Sequence, residues 1–329
     1  MKNQNNNKEA NQERKEGFLH EINKLFNPLN SKLIDDKIIE DLPLLFIVGN
    51  PRSGTTVLLQ WLAATGHFAY PTNLLSRFYE APLVGAKIQQ LLTDPEFDFD
   101  DQLSDLSVNL NLESSLGKTK GALQANEFWY FWRRFFPIST PQPLSKKQRN
   151  NTLRLEQFRN ELLSLVNFNQ KPFVMKGLLL NYDIDILASL FPKAIFIFLR
   201  RDPIMNMQSL LKARFTYYND ISKWYSARPK EYKWLLNKPI LQQVAGQVFY
   251  TNRAIESSLN KLDSSRYINI DYEQFCDDSD DLWNQLRLRV PALPTKIKVP
   301  LELTKTTQWT MVNISLKEAI SAYQMTENS

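Results

Sequence analysis

The stretch LPLLFIVGNPRSGTTVLLQWL, residues 42–62, carries the clearest indication of fold class in this sequence. Its continuous apolar run Leu44–Val48 is typical of a strand that is buried on both faces of a parallel sheet. From Thr55 onward, apolar residues recur with the spacing of one helix face, at positions 57, 58, 61 and 62. The turn between strand and helix, Gly49–Thr56, has the spacing G-x-x-x-x-G-T-T. The pattern predicts an anion-binding loop, because backbone amides converge where such a loop enters a helix.

The loop lacks the lysine that loops binding nucleoside triphosphates carry, since Thr55 stands at its position. That lysine reaches the β- and γ-phosphates, and the hydroxyl after it holds Mg²⁺. Its absence argues against a donor with a triphosphate tail. Arg52 lies within the turn itself, where a guanidinium could hold a short anionic group through two parallel hydrogen bonds. The loop therefore indicates a donor with fewer phosphates and no need for a metal ion.

A second group of elements extends the predicted sheet. The apolar run Ala194–Leu199 follows a helical segment near 181–190 and a short strand at Phe173–Met175, and another helix is predicted from Pro203. This order of strand, helix, strand and helix is typical of parallel crossovers. A fourth strand is predicted at Tyr267–Ile270.

Helical insertions are predicted between these blocks, at 73–92, 127–136 and 151–166. The sequence shows no internal repeat and no long linker. We therefore predict one α/β domain, P-loop NTPase-like, with a central parallel sheet flanked by helices and with helical insertions. The polar segment 1–16 is predicted to be a disordered N-terminal tail, which leaves 17–329 as the folded domain.

Composition argues against several classes of protein. A chain of 329 residues with 43% hydrophobic residues can bury a sizeable core, and no run of 18 apolar residues occurs. We expect a cytoplasmic protein without a transmembrane segment, and peripheral membrane contact stays open. One cysteine, Cys276, and two histidines are too few for a zinc site of the usual Cys/His type. The net charge of +5 favours anionic ligands, but the basic residues are scattered among acids, which argues against nucleic acid as a partner.

The motif PRSGTT after a buried strand resembles the 5′-phosphosulfate loop of sulfotransferases that use 3′-phosphoadenosine 5′-phosphosulfate (PAPS), whose pattern is P-[KR]-S-G-T-T. A second family element is an arginine followed eight positions later by a serine, and Arg201 and Ser209 have that spacing after the run AIFIFL. The resemblance covers mainly residues 42–66 and 172–213. It implies that the 3′-phosphate contacts this second element and that the 5′-phosphosulfate contacts the loop residues Arg52, Ser53, Gly54, Thr55 and Thr56.

The resemblance also implies the reaction, which is metal-independent in-line transfer of a sulfuryl group from PAPS to a hydroxyl or amine, with 3′-phosphoadenosine 5′-phosphate (PAP) as product. Enzymes that resemble this chain use a glutamate or a histidine as the base. Glu127 opens the aromatic run EFWYFWRRFF, where a carboxylate would be shielded from water. His67 and Glu80 are the alternative bases. Lys176 ends a predicted strand at the sheet edge where open α/β folds bind ligands, and it is predicted to reach the donor.

The sequence leaves the acceptor open among carbohydrates, lipids and other small molecules, and it leaves the oligomeric state open. Two other functions remain. One is a P-loop kinase, although Thr55 in place of the loop lysine argues against it. The other is a non-catalytic nucleotide-binding protein that has kept the fold.

Overall fold

The computed structural model describes residues 2–34, 42–98, 100, 102–106, 110–299, 301–305, 307–312 and 314–328.

The core of the fold is a sheet of four parallel strands, in the order β2-β1-β3-β4. Phe46 in the middle of β1 pairs with Met175 on one side and with Phe196 on the other. Every residue of β1 is buried, as expected of an apolar strand between two neighbours and two layers. The four strands are β1 (Leu44–Val48), β2 (Phe173–Lys176), β3 (Ile195–Arg200) and β4 (Tyr267–Asp271).

Thirteen α-helices surround the sheet within the described part of the chain. In chain order they are α1 (Lys2–Leu33), α2 (Thr55–Ala64), α3 (Pro82–Thr93), α4 (Trp129–Phe135), α5 (Lys146–Arg149), α6 (Thr152–Asn169), α7 (Ile184–Leu190), α8 (Pro203–Tyr218), α9 (Tyr232–Leu235), α10 (Ile240–Leu259), α11 (Tyr272–Asp277), α12 (Ser279–Arg289) and α13 (Leu316–Glu327).

The helices form a layer on each face of the sheet. Alternate strand residues such as Phe46 pack with α4, α6 and α7 on one face. Their neighbours, such as Ile47, pack with α2, α11 and α12 on the other face. A third cluster joins α8, α10 and α13. This arrangement confirms the predicted single α/β domain, with its central parallel sheet flanked by helices.

Two segments differ from the sequence-based expectation. The predicted helix at 73–92 is divided into a short 3₁₀ helix, Leu75–Phe78, and α3, because Pro82 lacks the amide hydrogen that would continue a helix from the preceding turn. The structure also has helix α1 from Lys2 onward, where a disordered tail was predicted for residues 1–16. Helix propagates more easily than it starts, and the later part of α1 is anchored by Asn23 on Arg77 O at 2.7 Å. The division into a tail and a domain at 17–329 stays a prediction.

No helix among the described residues is both long and apolar enough to span a bilayer. The cytoplasmic location stays a prediction.

Candidate active site

A cleft of about 710 Å³ opens at the carboxyl ends of β1, β2 and β3. β1 and β3 are neighbours, but the chain runs from β1 to β2 on one side and from β3 to β4 on the other. Open α/β sheets bind ligands at such points. The loop after β1, the end of β2 and the residue that follows β3 all contribute to the wall of the cleft. Segment 114–120 and tyrosines near the end of α8 also line it.

The loop after β1 is fixed by side chains from distant parts of the chain. Asn181 holds Gly49 through two hydrogen bonds, one to its carbonyl oxygen and one from its amide. Asn206 Nδ2 donates to Pro51 O at 2.9 Å, and Asn50 Nδ2 donates to Val248 O at 3.0 Å. These contacts are buried, so the loop conformation is set before any ligand binds.

The end of the loop presents polar groups to a small anion. Gly54 is the N-cap of α2 with φ 98°, and a Cβ there would lie 2.3 Å from the Tyr272 ring. Among the described residues, no side chain caps the first turn of α2, and the buried hydroxyl of Ser53 has no hydrogen-bond partner. The first amides of a helix also lack partners within the helix. A phosphate or sulfate could therefore accept hydrogen bonds from the first turn and from Ser53.

Two guanidinium groups meet beside this loop. Arg52 Nε donates to Ser209 Oγ at 3.3 Å, and Arg201 Nη1 donates to the carbonyl oxygen of Arg52 at 3.0 Å. Burial lowers the pKa of Arg52, and the positive charge of Arg201 acts in the same direction. A site with two nearby, partly desolvated cations favours an anion, which would relieve their repulsion. The structure thus brings together Arg52, Arg201 and Ser209, the residues of both sequence motifs.

A carboxylate and a lysine meet on the other side of the first turn of α2. Lys176 is 4% exposed, and its Nζ donates to Thr56 Oγ1 at 2.9 Å and forms an ion pair with Glu127. Phe128, the residue after Glu127, has φ 54° and is fully buried. The Glu127 side chain itself is 36% exposed and lines the cleft, so its aromatic neighbours shield it less than the sequence suggested. The predicted base and the predicted strand-end lysine are therefore in contact.

The other two candidate bases lie away from the cleft. The His67 ring lies 5.8 Å from the Trp283 ring, tilted by 45°. His67 is close in the chain to Ala69, which bridges to the first residue of β2 at the amino-terminal edge of the sheet. Helix α2 has ten residues and is about 15 Å long, so it carries the chain from the loop to that opposite edge. Glu80 pairs with His20 at 3.6 Å beside α1. Neither side chain lines the cleft, so the structure does not bring these two candidate bases together with the two motifs.

Several parts of the cleft wall were not anticipated from the sequence, among them residues 139–141 and two larger parts. One is the turn Ser115–Lys118, where a Cβ on Gly117 would lie 2.9 Å from Glu127 Oε1. The other is a group of tyrosines, Tyr217, Tyr218, Tyr225 and Tyr272. The glycine was the only signal for the turn in the sequence, and nothing in the spacing of the tyrosines indicates that they meet.

Within the described ranges, no group of three His, Cys, Asp or Glu side chains is placed to hold a metal ion. Whether the reaction needs a metal stays a prediction.

Comparison with known proteins identifies similar chains. A family model described as "Sulfotransferase family" matches residues 43–286. The crystal structure of sulfotransferase STF9 from Mycobacterium avium superposes with a TM-score of 0.52 at 16% identity, over 82% of this chain and 68% of that one. Sulfotransferase STF1 from Mycobacterium tuberculosis H37Rv gives a TM-score of 0.50 at 12% identity, over 92% of this chain and 80% of that one. No curated protein sequence matches. At these identities the two structures support the fold alone.

Proposed function

We propose that this chain, which belongs to the sulfotransferase family, transfers a sulfuryl group from PAPS to a hydroxyl or amine of an acceptor. One observation carries the proposal. The two motifs that the sequence suggests for the two ends of PAPS lie 157 positions apart, yet Arg52 of one is hydrogen-bonded to Ser209 of the other at 3.3 Å. A molecule with anionic groups at two separate positions would engage both motifs at once.

The donor loop would bind the 5′-phosphosulfate. Its polar groups are the first amides of α2, the hydroxyl of Ser53, and the guanidinium of Arg52. Arg201 and Ser209 would bind the 3′-phosphate. Gly54 leaves space beside Tyr272, so the backbone itself can approach the anion closely. These residues suit PAPS because they offer several hydrogen-bond donors, although Arg201 also has a carboxylate neighbour, Glu273, at 3.9 Å.

The chemistry would use Glu127 and the cations around it. In the transfer, a bond forms between the acceptor oxygen or nitrogen and sulfur, and the bond from sulfur to the bridging phosphate oxygen breaks. Glu127 would accept the acceptor's proton, and Lys176 would orient that carboxylate through their ion pair. Arg52 and Lys176 would stabilise the negative charge that develops on the departing phosphate. Thr56, which accepts from Lys176 Nζ, fixes the lysine at the first turn of α2.

Two other functions predict different ligand preferences. A P-loop kinase would bind ATP and Mg²⁺ more tightly than PAP, although Thr55 replaces the lysine that such enzymes need. A non-catalytic nucleotide-binding protein would bind PAP yet transfer nothing. Neither has an observation in its favour beyond the shared fold.

Calorimetry with PAP, AMP, ATP and ATP plus Mg²⁺ tests the proposal. We expect PAP to bind at least about tenfold more tightly than AMP, since a charge-assisted hydrogen bond to the 3′-phosphate contributes about 1.5–3 kcal/mol. Arg201→Ala should remove the preference for PAP. Arg200→Ala is the matched control, because the adjacent Arg200 pairs with Asp271 at 3.1 Å and does not line the cleft. Equal affinities for PAP and AMP in the unmodified protein would rule out PAPS as the donor.

Turnover separates an enzyme from a binding protein. PAP release from PAPS should increase when a panel of hydroxyl and amine acceptors is supplied. PAP binding without acceptor-dependent release would favour the non-catalytic function.

A further inference from the structure

One stretch of chain at the cleft wall, residues 110–126, contains no α-helix and is held at one end by a buried polar side chain and at the other by a half-buried one. We call it the arm. Gln60, fully buried in the middle of α2, donates through Nε2 to Asn111 O at 2.8 Å and to Glu113 O at 3.3 Å. At the other end, Asn73 Nδ2 donates to Gly121 O at 2.8 Å. The arm is therefore a fixed part of the cleft.

The tip of the arm contacts the proposed base. Ser115 and Lys118 exchange two backbone hydrogen bonds of 2.9 Å around Leu116 and Gly117. Both central residues have positive φ, 50° and 85°, as in the two-residue turns that join antiparallel strands. Positive φ is disfavoured for leucine, and such outliers concentrate at functional sites. Gly117 lies against the Glu127 carboxylate, and the Leu116 side chain lines the cleft.

Basic side chains outnumber acidic ones along the cleft. Five basic side chains line it, and the one acidic side chain there in the described part of the chain is Glu127. Three of the basic residues, Arg52, Arg201 and Lys176, belong to the donor motifs or to the ion pair with Glu127. The other two, Lys118 and Lys120, are exposed on the arm. Lysines on a surface are usually solvated, but these two point to a ligand because they border the same cavity as the base.

The distance from the base to these lysines limits what they could bind. Gly117 contacts Glu127, and the Cα of Lys118 follows about 3.8 Å further along the chain. An acceptor whose hydroxyl lies at Glu127 would thus extend past Lys118 within the length of one sugar ring or one aromatic ring. Trp129 and Tyr218 line the same cavity and offer flat faces for such a ring.

We propose that the acceptor is an anionic molecule, with a carboxylate, sulfate or phosphate group close to the reacting hydroxyl, and that Lys118 and Lys120 bind this group. The proposal rests on the proposed function and assigns its acceptor class. The two lysines act as specificity residues, while the donor site is unchanged by them. Because both are exposed, the attraction should weaken as the salt concentration rises.

A matched pair of probes isolates the charge. The para-nitrophenyl β-D-glucuronide and the corresponding β-D-glucoside share ring and aglycone but differ in the carboxylate. We expect the PAP-loaded protein to bind the glucuronide at least about tenfold more tightly at low ionic strength, as measured by calorimetry. The double variant Lys118→Ala/Lys120→Ala should bind both glycosides equally. The control Lys146→Ala/Lys147→Ala removes two exposed lysines of α5 that do not line the cleft, and it should keep the preference.

PAP affinity, measured for all three proteins, distinguishes failure of the acceptor proposal from failure of the proposed function. If PAP affinity is unchanged and the unmodified protein binds the two glycosides equally, or binds neither, the proposed function stands but the proposal of an anionic acceptor is overturned. A glucuronide preference that persists in the Lys118→Ala/Lys120→Ala variant would also overturn it. Failure of the unmodified protein to bind PAP would overturn the proposed function, and this inference with it.

Discussion

Asn181 and Gly49 exchange two hydrogen bonds where β1 ends: Asn181 Nδ2 donates to Gly49 O at 2.7 Å, and Gly49 N donates to Asn181 Oδ1 at 3.4 Å. A side-chain amide thus pairs with both backbone groups of the first loop residue, as a neighbouring strand would. Asn181 is fully buried just beyond β2, so it ties the donor loop to the middle of the molecule.

Asn181→Ala should destabilise the protein and weaken PAP binding. The variant leaves two buried backbone groups of Gly49 without partners, and each such group costs about 1–3 kcal/mol. Urea unfolding measures the loss of stability, and calorimetry measures PAP affinity. Asn237→Ala is the control, because this exposed asparagine makes only a 3.4 Å bond within its own turn. Equal unfolding free energies of the two variants would contradict the role given to Asn181.

Arg52→Ala should act on the chemical step more than on folding. If Arg52 stabilises charge on the departing phosphate, its removal lowers the rate by about 10²- to 10³-fold with a near-normal melting temperature. Arg52→Lys should keep more activity, since the sulfotransferase loop pattern P-[KR]-S-G-T-T admits lysine at this position. Arg52 has φ 69°, a conformation that alanine and lysine would both have to adopt, so the two variants are comparable. Lost stability with unchanged turnover would make Arg52 a structural residue.

Glu127→Gln should lower turnover by at least about 10²-fold, the usual size of a general-base effect. The amide keeps the shape of the side chain and can still accept from Lys176, but it cannot take the acceptor's proton. PAP affinity should stay the same. Glu80→Gln and His67→Gln are the controls, since both residues lie outside the cleft, and both should retain near-normal rates. Normal turnover in Glu127→Gln would require another base.

Gly54→Ala should weaken PAP binding and reduce stability. Its Cβ would lie 2.3 Å from the Tyr272 ring, so the ring or the loop must move. Gly66→Ala is a matched control: Gly66 also has positive φ, 74°, but nothing lies within 4 Å of an added Cβ. The control measures the cost of the backbone conformation alone, and overpacking should add about 1–3 kcal/mol in Gly54→Ala. Similar unfolding free energies and PAP affinities in both variants would show that the Tyr272 ring moves aside at little cost.

The features that local sequence determines were predictable. An apolar strand, a glycine-rich turn and an apolar helix face are adjacent in the chain, so β1, the donor loop and the start of α2 could be predicted from one stretch. Arg201 and Ser209 were suggested in the same way, because their spacing is local. Pro82 also gave a local signal, but the helical pattern around it outweighed that signal in the prediction.

Features that depend on tertiary contacts were harder to predict from the sequence. Glu127 and Lys176 were each suggested, but their ion pair depends on how the segment before α4 meets the end of β2, which no local pattern specifies. His67 was suggested from its place after α2, without allowing for the length of that helix. The turn at Leu116 escaped notice because leucine is not a residue that positive φ favours.

The contacts by which Gln60 and Asn73 anchor the arm lie outside its tip, Ser115–Lys118. Gln60 donates to backbone carbonyl oxygens, which every amino acid supplies, whereas Asn73 also binds the side chains of Thr119 at 3.0 Å and Asn126 at 2.7 Å. Residues at the tip can therefore be exchanged without loosening the attachment, and Gln60 sits on the same helix that begins at the donor loop. The arm is in this sense a replaceable cassette: a tip grafted from another sulfotransferase should change which acceptor reacts, while the donor machinery is left intact.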